Sequence, residues 1–130
     1  MRPRRSGTGS HHFEPQVAEP GPWVPRASVF SAPSGVRFQV EIPGIERGDL
    51  SVTVEAGEVV VRGQRRPPQL ERAAEPVVVE QPWGVFERRF AVPVGFNPES
   101  TTARYEQGML DIRVEPRSDD LEGEYQVEIG

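Results

Sequence analysis

The stretch after the turn at Gly108 constrains this chain most. Leu110, Ile112 and Val114 alternate with Asp111 and Arg113, a period of two that fits a strand with one buried face and one wet one. The same signal recurs upstream. Val36, Phe38, Val40 and Ile42 point one way while Arg37, Gln39 and Glu41 point the other, and Leu50, Val52 and Val54 alternate with Ser51, Thr53 and Glu55. Pro43-Gly44 separates these two runs with turn chemistry, and Ala56-Gly57 follows as a tight reversal. Val59, Val60 and Val61 form a wholly apolar run, which predicts a strand covered on both sides. Nothing longer than a turn carries a helical period. Seven or eight short strands with frequent turn signals predict an all-β fold, an antiparallel immunoglobulin-like β-sandwich.

The remaining strands are less regular. Residues 23–30 read as a first strand whose Pro25 favours an edge. Residues 77–79 begin another, and Pro82-Trp83-Gly84 turns it into a returning strand over 85–92. Parity in that strand places Phe86, Arg88, Phe90 and Val92 on one side. A buried guanidinium without a partner is costly, so Arg88 is expected to meet a carboxylate or to lie at a subunit interface, with snorkelling to water as the alternative. Between these runs, residues 64–76 form the longest segment without β character, a protruding loop carrying a short helical turn or an exchangeable strand.

Composition divides the chain into three parts. Residues 1–22 are rich in Pro, Gly and Ser and poor in large apolar groups, which predicts a mobile arm. Residues 23–116 hold the sandwich, and residues 117–130 form a tail in which Asp119, Asp120, Glu122, Glu124 and Glu128 face only Arg117. Such an acidic excess solubilises its surroundings.

The residue inventory limits chemistry. There is no cysteine, and all 15 basic residues are arginine, so thiolate and Schiff-base chemistry are absent. The two histidines, His11 and His12, fall together in the arm, where they read as solvated polar groups rather than metal ligands. A carboxylate-based hydrolase with a glycosidase-like acid pair would be the remaining enzyme class, and no acidic pair sits in a recognisable setting for it. No enzyme activity, cofactor or metal is expected. A net charge of -5 without a basic stripe disfavours nucleic acid. No apolar run approaches the roughly 20 residues of a membrane span, and no secretion signal follows the Arg-containing start, so a cytoplasmic location is expected.

Five segments in order carry a family resemblance: Phe38-Gln-Val-Glu-Ile-Pro-Gly-Ile45, Gly48-Asp-Leu-Ser-Val-Thr-Val54, Val59-Val-Val-Arg-Gly63, Trp83-Gly-Val-Phe-Glu-Arg-Arg-Phe-Ala-Val-Pro93 and Ala103-Arg-Tyr-Glu-Gln-Gly-Met-Leu110. Together they resemble the α-crystallin domain of the small heat-shock proteins, bacterial and plant type, with Gly108 and Leu110 in the family's motif. Val127-Glu-Ile129 resembles the family's tail motif, an apolar pair separated by one residue.

The resemblance implies an ATP-independent holdase whose partners are non-native client proteins and other copies of itself. It implies a dimer in which a strand from the loop at residues 64–76 crosses to the partner, and oligomers linked by tails docking in a groove on a neighbouring domain. By position, Arg88 matches the family's dimer-interface arginine, with Leu70, Glu71, Arg72 and Ala73 in the crossing segment. Pro67 and Pro68 each lack a ladder donor, so that strand should be short or displaced toward residues 70–73. The arm's aromatics are few (Phe13, Trp23 and Phe30), which argues against large cages.

Physical reasoning supports the tail role independently. In an extended tail, Val127 and Ile129 lie on one face about 7 Å apart, with Glu128 toward water. They can fill two pockets while their backbone extends an exposed sheet edge. The groove candidates are Leu50, Val52, Val54, Val85 and Ala91, each with burial in the sandwich core as the alternative. The rival class is a co-chaperone-type sandwich that docks one specific partner and has no use for the tail motif.

Overall fold

The computed structural model describes residues 16–17, 23–118 and 125–130. Expectations for His11, His12 and Phe13 lie outside these residues. Two four-stranded antiparallel sheets face one another around a single apolar core. The strands are β1 (Gln16–Val17), β2 (Ala27–Ala32), β3 (Gly35–Glu41), β4 (Leu50–Glu55), β5 (Glu58–Arg65), β6 (Val78–Val79), β7 (Gly84–Ala91), β8 (Thr102–Glu106), β9 (Met109–Val114) and β10 (Tyr125–Val127). One sheet runs β10-β4-β5-β7 and the other β2-β3-β9-β8, while β1 and β6 form a separate two-residue parallel pair. The only helical elements among the described residues are two single 3-10 turns, Arg47–Asp49 and Pro98–Ser100.

Period-two patterning builds this core directly. Val36, Phe38 and Val40 stand opposite Val114, Ile112 and Leu110 in the β3–β9 register, and all six are buried. Val52 and Val54 pair with Val61 and Val59 on the facing sheet, also buried. Phe86 and Phe90 complete it from β7, with the Phe90 ring 5.4 Å from that of Phe38. Val60 points to the outer face yet is fully buried, as the apolar run predicted; its cross-strand neighbours there are Thr53 and Arg89.

Two glycines permit close approaches that a side chain would block. Gly108 has φ +78°, follows Gln107 at φ 53°, and gives its carbonyl to the Ile42 amide at 2.8 Å. A Cβ at Gly108 would lie 3.1 Å from the Pro43 ring, so the β8–β9 turn can tuck beneath the β3 exit only without one. At Gly63, a Cβ would come within 2.6 Å of the Phe86 ring. The missing side chain makes room for that phenylalanine to enter the core.

Three sequence expectations are corrected. First, residues 23–26 are not strand. They cross the open side of the sandwich as a strap, with the Trp23 amide donating to the Val85 carbonyl (3.2 Å) and the Arg26 carbonyl accepting from the Glu41 amide (2.9 Å). Second, β6 does not form a hairpin with β7, whose ladder partner is β5; between them the Pro82 carbonyl accepts from the Arg65 guanidinium. β6 pairs in parallel with β1 instead. Third, residues 70–73 do not supply a strand; they lie in a turn closed by the Ala74 amide donating to the Glu71 carbonyl at 2.9 Å. The short strand of this loop sits at Val78–Val79, beyond both Pro67 and Pro68.

Candidate functional site

β4 and β8 are the edge strands on the same side of the two sheets, and each would leave backbone groups unpaired there. The tail fills both edges. Tyr125, Gln126 and Val127 pair antiparallel with Val54, Thr53 and Val52, and the Gln126 side-chain amide donates to the Val52 carbonyl at 3.3 Å. The tail then crosses the gap. Ile129 forms a parallel bridge with Ala103 on β8, the Gly130 amide donates to the Ala103 carbonyl (2.7 Å), and the Tyr105 amide donates to the Gly130 carbonyl (2.8 Å). Val127 is only 5% exposed and joins the core cluster, and Ile129 packs against it half-buried, while Gln126 and Glu128 face outward. The alternation of the tail motif thus becomes one dry face and one wet face.

The walls of this slot differ in part from the sequence candidates. Val52 and Val54 line it while also belonging to the core, and Leu50 lies one inward position beyond Val52 on the same strand. Val85 and Ala91 lie elsewhere. Both point outward from β7, two strands removed from the tail, with Val85 53% exposed. Their parity opposite to Phe86 and Phe90 sets this, since adjacent strand residues cannot share a face. The second wall is Ala103, small enough to let the tail backbone approach β8. Its signal was present as the inward position between Thr102 and Arg104.

The tail was expected to seek a neighbouring domain; here it is seated on its own sandwich.

On the opposite side, Arg88 meets neither a carboxylate nor open water alone. Its Nη1 donates to the Pro25 carbonyl at 2.7 Å and its guanidinium lies 5.0 Å from the centre of the Phe90 ring. It therefore ties the strap at residues 23–26 to β7. Leu70, with Glu71, Arg72 and Ala73, lies exposed on the loop between β5 and β7, near Val78 in a shallow apolar groove that also includes Pro67, Pro68, Val79 and Trp83.

The sequence reading missed Arg65. Parity continues from Val59, Val61 and Gly63 to Arg65, so β5 runs on and carries this arginine inward, where it is 8% exposed. All three of its guanidinium nitrogens are satisfied by backbone: Nε and Nη2 donate to the Pro82 carbonyl (3.1 and 2.7 Å) and Nη1 to the Pro43 carbonyl (2.9 Å). Burial holds its pKa below the ordinary value, with the neighbouring Tyr105 opposing that shift. Arginine tolerates such burial because its guanidinium is weakly hydrated and each of its nitrogens here donates to a carbonyl.

The outer face of the β4-β5-β7 sheet carries a charge lattice. Arg62 binds Glu55 at 2.6 Å and Glu87 at 2.7 Å, while Arg89 reaches Glu87 (3.1 Å) and Glu58 (3.3 Å). The Arg62 hydrogen bond, then that of the Thr53 hydroxyl, lowers the Glu55 pKa to about 2, and Arg62 followed by Arg89 lowers that of Glu87. These pairs tie neighbouring strands of the sheet together. No cluster capable of holding a metal ion occurs among the described residues, and none of their helices is long and apolar enough to cross a membrane.

Two antiparallel sheets packed as a sandwich, with no helix beyond single 3-10 turns among the described residues, are the α-crystallin type of fold. Residues 29–130 match the Hsp20/alpha crystallin family, and the chain belongs to it. It is 28% identical over 91 residues to small heat shock protein C2 of Rickettsia felis, covering 70% of this chain and 59% of that one. An 18.1 kDa class I heat shock protein of Oryza sativa is 34% identical over 88 residues, covering 65% and 55%. The chain thus spans little more than half the length of these curated relatives. Among solved structures, a small heat-shock protein from Xylella fastidiosa is similar with a TM-score of 0.67 at 27% identity, covering 82% of this chain and 97% of that one.

Proposed function

We propose that this chain is an ATP-independent holdase, binding unfolding proteins and keeping them from aggregating, and that it assembles as dimers linked through C-terminal tails. The observation that carries this reading is the tail slot, where Val127 and Ile129 enter an apolar gap while backbone groups extend both sheet edges. Main-chain pairing reads little sequence. What such a slot selects is an unpaired backbone with alternating apolar side chains, which folded proteins hide and unfolding ones display. Family membership supports the same reading, and the Xylella fastidiosa relative is described as having a distinct high order structure.

The slot is built wholly from β4 and β8 of a folded sandwich, so every copy offers the same one to its own tail or to a neighbour's. Burying Val127 fully and Ile129 in part contributes roughly 2–4 kcal/mol before the ordering cost is subtracted. Each link is therefore weak and exchangeable, and assembly rests on many links at once. For the dimer, we assign Arg88 and the loop carrying Leu70, Glu71, Arg72 and Ala73 to the contact between copies. The exposed apolar residues Leu70, Val77 and Val78 in that loop and Val29 and Phe30 on the β2 edge support that assignment.

The test is to heat an aggregation-prone protein with this chain in the absence of nucleotide and to follow turbidity. Suppression that rises with the amount of chain is expected. Full turbidity at several-fold excess would contradict the holdase reading and favour a module dedicated to one partner.

A further inference from the structure

The chain contains two tryptophans, and both lie against one guanidinium. The Arg65 guanidinium carbon is 4.3 Å from the centre of the Trp23 ring and 5.5 Å from that of Trp83, distances at which a cation and an aromatic face attract. Trp23 belongs to the strap that precedes β2; Trp83 closes the long loop between β5 and β7. The two segments share nothing in sequence.

A second set of contacts binds the same two segments. The Trp23 indole nitrogen donates to the Gly84 carbonyl at 3.1 Å, its amide donates to the Val85 carbonyl at 3.2 Å, and its ring meets Phe86 edge-on at 5.4 Å. Further toward the N-terminus, Gln16 and Val17 of β1 pair in parallel with Val78 and Val79 of β6. The region before β2 therefore holds the β5–β7 loop at its middle and at its exit. Arg65 has no carboxylate within ion-pair distance among the described residues, so its binding partners in the clasp are the two rings and the Pro82 and Pro43 carbonyls. One of those carbonyls, that of Pro82, is itself part of the loop.

We propose that Arg65 is a clasp that makes the strap at Trp23 and the loop at residues 66–83 a single opening unit, so that release of either frees the other. A buried cation cannot keep half of its shell: once Trp23 leaves, water reaches the guanidinium, and the carbonyl and ring contacts that hold Trp83 weaken with it. The apolar groove of Pro67, Pro68, Leu70, Val78 and Val79 then opens together with the strap. This coupling is a property of the fold and stands whether or not the chain is a holdase.

Tryptophan emission reads it directly in the full 130-residue chain. In Trp23→Ala the sole indole is Trp83, and its quenching by acrylamide should rise about threefold or more over that in Trp23→Phe, which keeps a ring on the cation. The reciprocal pair, Trp83→Ala and Trp83→Phe, reports Trp23 in the same way. Equal quenching in the alanine and phenylalanine variants of either pair overturns the clasp. If the alanine variants do not fold, the two phenylalanine variants decide on heating. The surviving indole should shift to the red at one common temperature in both; two separate temperatures would show that strap and loop open independently.

Discussion

Val127 stands directly opposite Val52 in the edge register, so a residue three positions from the end of the chain is packed as deeply as the strands of the core. The rest of the site follows from that pair. The inward parity of Val127 leaves Gln126 and Glu128 in water, and the chain then reaches the second sheet at Ala103.

Tail burial is expected to be visible in stability. Val127→Ala should cost about 1–3 kcal/mol by loss of buried methyls, whereas Val85→Ala, on the outward face of β7, should cost less than about 0.5 kcal/mol. Urea denaturation of the two variants side by side checks this. Equal effects would mean that the tail is not seated in solution.

Gly63→Ala places a methyl group 2.6 Å from the Phe86 ring, with the Asp49 carbonyl 3.0 Å away on another side. Neither neighbour is free to yield, and a loss of about 1–3 kcal/mol is expected from overpacking. The melting temperature is the readout.

The charge lattice gives a pH dependence with a definite sign. The folded pKa of Glu55 is depressed from 4.5 to about 2 by its hydrogen bonds from Arg62 and Thr53. A depressed carboxylate contributes stability that is fully present above its unfolded value and is lost as pH falls through the folded one. Stability should therefore decline between about pH 4.5 and pH 2, and Glu87, lowered for the same reason, adds to the decline. In Arg62→Met the Glu55 carboxyl, followed by NMR, should titrate closer to its ordinary value; an unchanged titration would rule out Arg62 as the cause.

Arg88→Ala removes the bond to the Pro25 carbonyl and the stacking on Phe90. In the dimer assignment above, the variant should dissociate to monomers at concentrations where the unaltered chain remains paired. Sedimentation that gives the same mass for both would refute the interface role.

Much of this fold was legible because buried strands advertise themselves by period. β3, β4 and β9 were read nearly to the residue, and the Gly108 turn with them. What period two could not supply was the destination of edges. Val85 is apolar and so reads as a groove candidate, yet its parity against Phe86 turns it outward. The slot's second wall, Ala103, is marked only by its inward position between Thr102 and Arg104, since its side chain is small. Arg65 is hard to foresee because the apolar run stops at Val61, although the inward series Val59, Val61, Gly63 continues for one more step. An inward arginine satisfied by proline carbonyls leaves no carboxylate partner to look for. The loop strand is hard to read for a related reason: the two prolines say where it cannot be, but nothing in Val78–Val79 separates a hairpin with β7 from the parallel pair with β1 that forms.

The most direct measurement of the tail's role is the mass in solution, by light scattering, of the full chain and of a form lacking residues 126–130, at equal concentration and below the melting temperature of both. If tails link copies by exchanging between identical slots, the shortened form should give markedly smaller particles, and adding a peptide of residues 125–130 should shrink those of the full chain as well. Particles of unchanged size in both experiments would mean that each tail serves only its own sandwich.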